Sequence, residues 1–214
     1  MNKIKKLAVT LLVLFMLVPT FAFAQEVKET PELKAKIQNI VNTMPEDDAI
    51  EAIENLFGEN DRPHFATRSA KNFVIYKATS AARSMADNAF TEESNIVVQN
   101  GEVKLTLYTT PVYYLGYQAD VTGVTIIGNK GVLYKAKEFG SRKTVVRRKN
   151  TDRMVPTRFE ITIPKTEIIP SGVPGYPNCL NVKFNTNLAD DFRWGIGDKF
   201  PEKMKNPIAR VLFN

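Results

Sequence analysis

The sequence predicts a mainly β protein: an immunoglobulin-like antiparallel β-sandwich that follows a short N-terminal helical hairpin. The first indication is that apolar residues alternate with a period of two from Phe73 onward, as they do in half-buried strands. The second is a series of seven or eight short strand-like runs separated by turn residues. The third is Asn100-Gly101, the strongest short hairpin signal in the chain.

Residues 1–24 have the three parts of a secretory signal peptide. Three lysines lie within the first six residues, residues 7–18 are apolar but too few to span a bilayer, and residues 22–24 (Ala-Phe-Ala) suit a signal peptidase. We therefore expect a Sec signal peptide that is cleaved after Ala24, and a secreted or cell-surface protein. An uncleaved anchor is the alternative. We expect no integral membrane segment after cleavage, because no second apolar run of membrane length follows.

Residues 25–68 are expected to form a helical appendage and a linker. Apolar side chains recur at helical spacing in two runs, one before and one after Pro45. Gly58 follows the second run, as a glycine often follows the end of a helix. The apolar residues of the two runs are Leu33, Ile37, Ile40, Val41, Met44, Ile50, Ile53, Leu56 and Phe57. Such a hairpin would dock a partner or stabilise the domain that follows it.

Residues 69–187 are expected to form the β-sandwich. A first strand is predicted at residues 73–76, and two more flank the Asn100-Gly101 turn. Further strand-like runs cover residues 111–121, 124–127, 132–136, 143–148, 158–163 and 180–184. Residues 188–214 show no clear period, and they are predicted to be a C-terminal tail.

The composition disfavours several functional classes. The formal net charge is +6, and loss of the three signal-peptide lysines lowers it to 6 − 3 = +3, which does not argue for nucleic-acid binding. The chain has one histidine, His64, and one cysteine, Cys179, so neither an intramolecular disulfide nor a usual structural zinc site can form. No nucleophile-elbow or phosphate-loop motif occurs. We expect no enzymatic activity.

Basic residues cluster between positions 142 and 158. This pattern indicates either a solvated hairpin or an edge that faces anions, such as the carboxylates of a ligand, a partner or an acidic cell wall. The residues are Arg142, Lys143, Arg147, Arg148, Lys149, Arg153 and Arg158.

Two short segments differ from the strands around them. The segment SMADNAF, from Ser84 to Phe90, is typical of a single turn of helix that carries a hydroxyl and apolar groups on one rim. The segment VPGYPNCLNVKF bends at its Pro-Gly and then begins a strand at Tyr176. Strand alternation places Tyr176 on the face of Leu180 and Val182, so a phenol would stand at the open end of an apolar row.

The chain from about residue 69 to residue 187 resembles the NEAT (near-iron-transporter) domain family of Gram-positive bacteria. The segments that carry the resemblance are SMADNAF, IVVQNGEVKLTLYTT, TRFEITI and VPGYPNCLNVKF, which occur in the order and spacing of the family. The resembling region is slightly over half of the chain. The resemblance implies an immunoglobulin-like sandwich that binds haem (heme b) between a short lip helix and the hairpin of its last two strands.

The resemblance also implies roles for individual residues. Ser84 would hydrogen-bond a haem propionate, with Arg83 beside it on the rim. Met85 would pack against the porphyrin face, and its thioether is an alternative axial ligand. Tyr176 matches the iron-ligating tyrosine of the family, and phenolate oxygen is a known axial ligand of haem. The apolar walls would come from Phe90, Leu180 and Val182.

The chain departs from the family at Leu180, where the family has a second tyrosine. Leucine cannot hydrogen-bond the ligating phenol as that tyrosine does. We expect a secreted protein that captures haem and transfers it in iron acquisition, with other haem-carrier proteins or haemoproteins as partners. The alternative is a non-haem immunoglobulin-like interaction module that binds a host or cell-surface protein.

Overall fold

The computed structural model describes residues 30–45, 48–49, 52–53, 56, 71–114, 117–146, 151–188 and 206–214. The predicted signal peptide, most of the second predicted helix, and His64 with most of its linker lie outside the described residues. Among the described residues, no helix is long and apolar enough to cross a membrane.

Helix α1 spans Pro31–Thr43 and is the first of the two predicted helices. It begins at Thr30, whose side chain accepts a hydrogen bond from the backbone N–H of Leu33 at 3.2 Å. Pro31 suits the first helical position because the N–H that it lacks has no partner inside a helix. Ile37 and Ile40 are buried, as the helical spacing predicts. The pairing of α1 with a second helix stays a prediction.

The rest of the described chain is mainly β, as predicted. The strands are β1 Phe73–Lys77, β2 Asn95–Gln99, β3 Glu102–Tyr108, β4 Val112–Tyr114, β5 Tyr117–Ala119, β6 Val121–Ile127, β7 Leu133–Lys135, β8 Lys137–Phe139, β9 Arg142–Val146, β10 Thr151–Val155, β11 Arg158–Pro164, β12 Ile169–Val173, β13 Tyr176–Thr186 and β14 Ile208–Phe213. Two short 3₁₀ helices span Met85–Ala89, called the lip helix below, and Lys165–Glu167.

The strands form two larger and two smaller antiparallel sheets. The six-stranded sheet has the order β1-β14-β13-β6-β7, with β12 paired to the start of β13. The four-stranded sheet has the order β2-β3-β11-β8, and β9–β10 and β4–β5 form separate pairs. Antiparallel pairing between non-consecutive strands means that residues far apart in sequence become neighbours in both larger sheets.

Both larger sheets contribute to one buried apolar cluster, called the main core below. Alternate residues of β3 and β11 enter it, and so do alternate residues of β13 and β14, as the period-two pattern requires. Its largest fully buried members are Phe73, Phe159, Phe184, Phe213, Ile75, Leu105 and Leu107. This core is the main source of apolar burial in the described β region.

The Asn100-Gly101 turn joins β2 to β3 as predicted. Gln99 pairs with Glu102 across it, and both turn residues have positive φ, 51° and 80°. Two successive residues with positive φ define the tight turns whose twist matches that of the flanking strands. Asparagine and glycine tolerate this backbone conformation better than other residues do.

The C-terminal residues differ from the predicted tail. Strand β14 lies between β1 and β13 in the six-stranded sheet, and Val211 pairs with both Ile75 and Leu180. Ala209, Val211 and Phe213 enter the main core, whereas Leu212 is buried on the opposite face. The last three residues of β14, Val211 to Phe213, are all buried and form a continuous apolar run, so the alternation that reveals other strands is lost there.

Candidate functional site

The lip helix begins at Ser84, one of the predicted site residues. The Ser84 side chain accepts a hydrogen bond from the backbone N–H of Ala86 at 3.3 Å, so it is the N-cap. Its own N–H donates to the carbonyl of Ile75 at 2.9 Å, which joins the lip to β1. A hydroxyl that accepts one hydrogen bond can still donate another, so the Ser84 O–H can serve a ligand. Ser84 is 8% exposed.

A buried ion pair holds the lip helix in place, and sequence reasoning missed it. Lys71 Nζ lies 3.3 Å from Asp87 Oδ1 and donates to the carbonyls of Asp87 and Phe90 at 2.5 and 3.3 Å. The same carboxylate accepts the N–H of Ile75 at 3.0 Å. Burial lowers the pKa of Lys71 below its usual value, against the opposing effect of Asp87. From the sequence, Asp87 was read only as a residue that favours a turn. Its partner Lys71 lies 16 residues away, so no local pattern connects the two.

Arg83 directly precedes Ser84, the N-cap of the lip helix. Its guanidinium is 3.7 Å from Asp87 Oδ2, and the side chain is 30% exposed. Its backbone forms an isolated β-bridge with Tyr76 of β1. Met85 is half-buried and is not a member of the main core. Arg83 and Met85 therefore lie beside β1 with part of each side chain accessible.

Phe90, Leu180 and Val182 lie inside the main core. They are 4%, 1% and 0% exposed, and the Phe90 ring centroid is 5.3 Å from that of Phe184. Strand β13 is central in its sheet, and its inner side chains are enclosed by other core residues. These three residues were predicted as the walls of a pocket. In the structure the space around them is filled by the protein's own side chains.

Tyr176, the predicted iron ligand, lies outside the main core. It is half-buried and packs against a smaller cluster, called the outer cluster below, which is built on Val74, Cys179 and Leu212. These three residues alternate with main-core residues along their strands, so the outer cluster occupies the opposite face of the six-stranded sheet. The residues that partly cover it are Tyr76, Ile169, Val173 and Tyr176.

The predicted alternation holds from Leu180 to Phe184 and is not followed at Tyr176. Tyr176 is four residues before Leu180, yet it contacts the outer cluster rather than the main core. The pairing of β12 with β13 is irregular between Pro170 and Val173, directly opposite the start of β13. Three steps along β12 there oppose two along β13, so β12 carries the extra residue and bends.

A second phenol, Tyr76, shares the outer cluster with Tyr176. Strand pairing accounts for the cluster that both phenols contact: Val74 is paired with Leu212, and Leu212 with Cys179, which makes one row across β1, β14 and β13. Sequence analysis treated Tyr76 only as part of a strand. Because β14 was predicted to be a tail, nothing in the sequence placed β1 near β13.

Arg210 of β14 connects the lip side of this surface to the β12–β13 hairpin. Its guanidinium donates to the carbonyls of Lys77 and Ser80 at 3.2 and 2.9 Å, and to the carbonyl of Ser171 at 3.4 Å. Ser171 in turn donates to the carbonyl of Tyr176. One cation therefore links the segment that precedes the lip with the turn that carries Tyr176.

Cys179 is buried beneath the two phenols, and burial raises the pKa of its thiol above the usual value. A thiol that stays protonated is a poor nucleophile and a poor metal ligand. Among the described residues, no group of three or more histidine, cysteine, aspartate or glutamate side chains could hold a metal ion.

The basic hairpin is partly neutralised where the structure describes it. Arg142 Nη2 lies 2.6 Å from Asp120 Oδ1, whose side chain is fully buried, and Lys143 pairs with Asp152 on the surface. Residues 147–149 of this predicted cluster lie outside the described residues. Arg142 is therefore a structural residue at the start of β9.

No protein-family model, curated protein or solved structure matched this chain in the comparisons.

Proposed function

We propose that this protein is a secreted haem-binding protein that captures haem on the outer cluster and passes it to another protein. The scaffold would be an immunoglobulin-like sandwich made from the two larger sheets. The observation that carries the proposal is that two phenols, Tyr176 and Tyr76, pack against one apolar cluster beside the lip helix. Haem is a large apolar plate that takes an oxygen, nitrogen or sulfur ligand, so it suits a surface with apolar and phenolic groups.

The residues present fit haem in their chemistry. Tyr176 would hold the iron through its phenol oxygen, as the resemblance implies, and Tyr76 is the second phenol of the outer cluster that could replace the missing second tyrosine. Ile169 and Val173 supply apolar surface, and each Å² of it that is covered contributes about 25 cal/mol. Bound haem would supply a ferric iron that prefers an anionic oxygen ligand.

The rim fits the propionates of haem. Arg83 carries a guanidinium that is partly exposed, and charge-assisted hydrogen bonds to carboxylates are the stronger kind. The Ser84 hydroxyl lies next to it in the chain and retains a proton to donate. The proposal leaves Phe90, Leu180 and Val182 out of the binding surface, since they belong to the main core.

A titration with hemin tests the proposal. We expect a saturable Soret band at one haem per chain, loss or shift of that band in Tyr176→Phe, and weaker binding in Tyr76→Phe. Tyr134→Phe is the matched control, because the Tyr134 hydroxyl bonds Glu167 on another part of the sheet. Transfer to apomyoglobin, followed by absorbance, tests whether the haem is passed on.

The competing function is a non-haem interaction module that binds a host or cell-surface protein. It is favoured by one observation: Phe90, Leu180 and Val182, the predicted walls of the pocket between the lip helix and the last hairpin, are core residues. The absence of a saturable Soret band, in protein with an intact β-rich circular dichroism spectrum, would overturn the haem proposal and leave this function.

A further inference from the structure

A cleft of about 470 Å³ lies at one end of the four-stranded sheet, whereas the outer cluster belongs to the six-stranded sheet. Its volume is within the range of about 300–1,000 Å³ that is usual for small-molecule sites. Residues of β3, β8 and β11 line it, together with the turns next to these strands. Its lining residues include Thr91, Glu93, Tyr108, Phe139, Thr157 and Arg158.

Three of these residues form a row across adjacent strands. Arg158 pairs with Tyr108 on one side and with Phe139 on the other. Its guanidinium carbon lies 4.7 Å from the centroid of the Phe139 ring and 5.8 Å from that of Tyr108. The neighbouring residue Phe159 points into the main core, so this row lies on the outward face of the sheet. The cleft therefore has an aromatic wall with a cation fixed between two rings.

The cleft also has polar atoms without protein partners. Arg158 Nε is 3.3 Å from Glu160 Oε1 in an ion pair but has no hydrogen-bond acceptor of suitable geometry. Thr91 Oγ1 is likewise buried and lacks a partner. Of the three such buried atoms found in the described part of the chain, two belong to residues that line this cleft. Buried polar groups in native proteins usually have partners, so these two need an explanation.

The charges indicate a neutral ligand. Glu93 lines the same cleft as Arg158 and carries the opposite charge. The charge of Arg158 is already compensated by Glu160. An anion would meet the Glu93 carboxylate, and a cation would meet the guanidinium. A polyhydroxyl ligand can donate to Glu93 and accept from Arg158 without adding charge.

We propose that this cleft binds a neutral saccharide of one or two rings. The less polar face of a sugar ring would cover the aromatic wall, and its hydroxyl groups would bond Arg158, Glu93 and the threonine hydroxyls. Gly140 shapes the wall: its φ is +62°, and a Cβ there would collide with Thr157 Oγ1. The turn after β8 can therefore approach Thr157 closely enough to close one side of the cleft.

Titration of the isotopically labelled protein with maltose, cellobiose and chitobiose, followed by NMR, tests the proposal. We expect saturable shifts at residues 91–93, 139–140 and 157–158 with at least one of them. Phe139→Ala and Arg158→Gln should weaken binding by about tenfold or more. Lys137→Ala, an exposed position in the next outward row, is the matched control.

Shifts that do not saturate, or that fall outside the cleft, would overturn the proposal. So would binding of glucuronate alone, since an anionic sugar contradicts the charge argument. The location of the shifts in the unaltered protein remains decisive even if Phe139→Ala fails to fold. Tyr176→Phe should bind saccharide normally, which separates this site from the proposed haem surface.

Discussion

Lys71 and Asp87 form an ion pair whose side chains are 2% and 3% exposed, with Nζ 3.3 Å from Oδ1. The lysine also bonds the carbonyl of Phe90, and the aspartate also bonds the N–H of Ile75. One pair thus joins the chain before β1, β1 itself, and the middle and C-terminal end of the lip helix. The position of Ser84 and Arg83 beside the six-stranded sheet depends on it.

Removal of one partner of this pair should strongly destabilise the protein. Asp87→Ala leaves the Lys71 ammonium buried without its carboxylate and takes the acceptor from Ile75 N–H, and we expect a loss of about 3–5 kcal/mol. Asp152→Ala is the control, because it breaks the exposed pair with Lys143, worth about 0–1 kcal/mol. Urea unfolding curves measure both. Equal effects of the two substitutions would contradict this role for Lys71.

Because the pKa of Lys71 is lowered, the free energy of unfolding should change with pH in the alkaline range. The native lysine releases its proton at a lower pH than the unfolded lysine, whose pKa is near 10.5. Between these two values the unfolded chain binds more protons, so this group makes the free energy of unfolding rise with pH. Lys71→Met should lose that component when urea midpoints are compared across alkaline pH. The same pH dependence in both proteins would argue against a buried, destabilised ammonium.

The contribution of Cys179 to the free energy of unfolding should change with pH in the opposite direction. Its native pKa is raised above 9.0, so the stabilisation is complete below pH 9.0 and is lost as pH rises towards the native pKa. Cys179→Ala should remove this loss in the same unfolding experiment. The native thiol should also react slowly with iodoacetamide at pH 8 and quickly in urea. Rapid alkylation of the folded protein would show that the outer cluster leaves the thiol accessible.

Leu180→Tyr places a tyrosine where the NEAT family, which the chain resembles, has its second one, and it should not improve haem binding. Leu180 is 1% exposed in the main core, and a larger side chain there overpacks the core by about 1–3 kcal/mol. We expect a lower thermal midpoint and no gain in affinity for hemin. Tighter hemin binding with unchanged stability would mean that position 180 faces the ligand.

Removal of residues 206–214 should unfold the β region. Strand β14 lies between β1 and β13, and its loss leaves two strand edges unpaired and opens both faces of the sheet. Removal of Asn214 alone is the control, since this last residue is exposed and follows the strand. Circular dichroism and limited proteolysis measure the outcome. A folded, protease-resistant truncated protein would contradict the central position of β14.

The features predicted correctly from the sequence are local. The Asn100-Gly101 turn depends on the backbone preferences of two residues, and the buried face of α1 depends on the spacing of apolar residues such as Ile37 and Ile40. The alternation from Leu180 to Phe184 was readable for the same reason, since a strand with one buried face shows its period directly.

The candidate site was less predictable. The short helical turn that begins at Ser84 was predicted, but the Lys71–Asp87 pair that holds it beside β1 joins residues distant in sequence. Phe90, Leu180 and Val182 have the apolar character of pocket walls and of core residues alike. Residue type could not distinguish these two environments, because both exclude water.

By itself, the sequence determined the mainly β class of the described chain, its clearest hairpin and its first helix, since these follow from periodicity and local backbone conformation. Only the tertiary structure decided that β14 separates β1 from β13 and that Tyr76 and Tyr176 both pack against the cluster that contains Cys179. The physical reason is that strand order depends on which apolar faces are buried together across the whole fold, and no short segment encodes that choice.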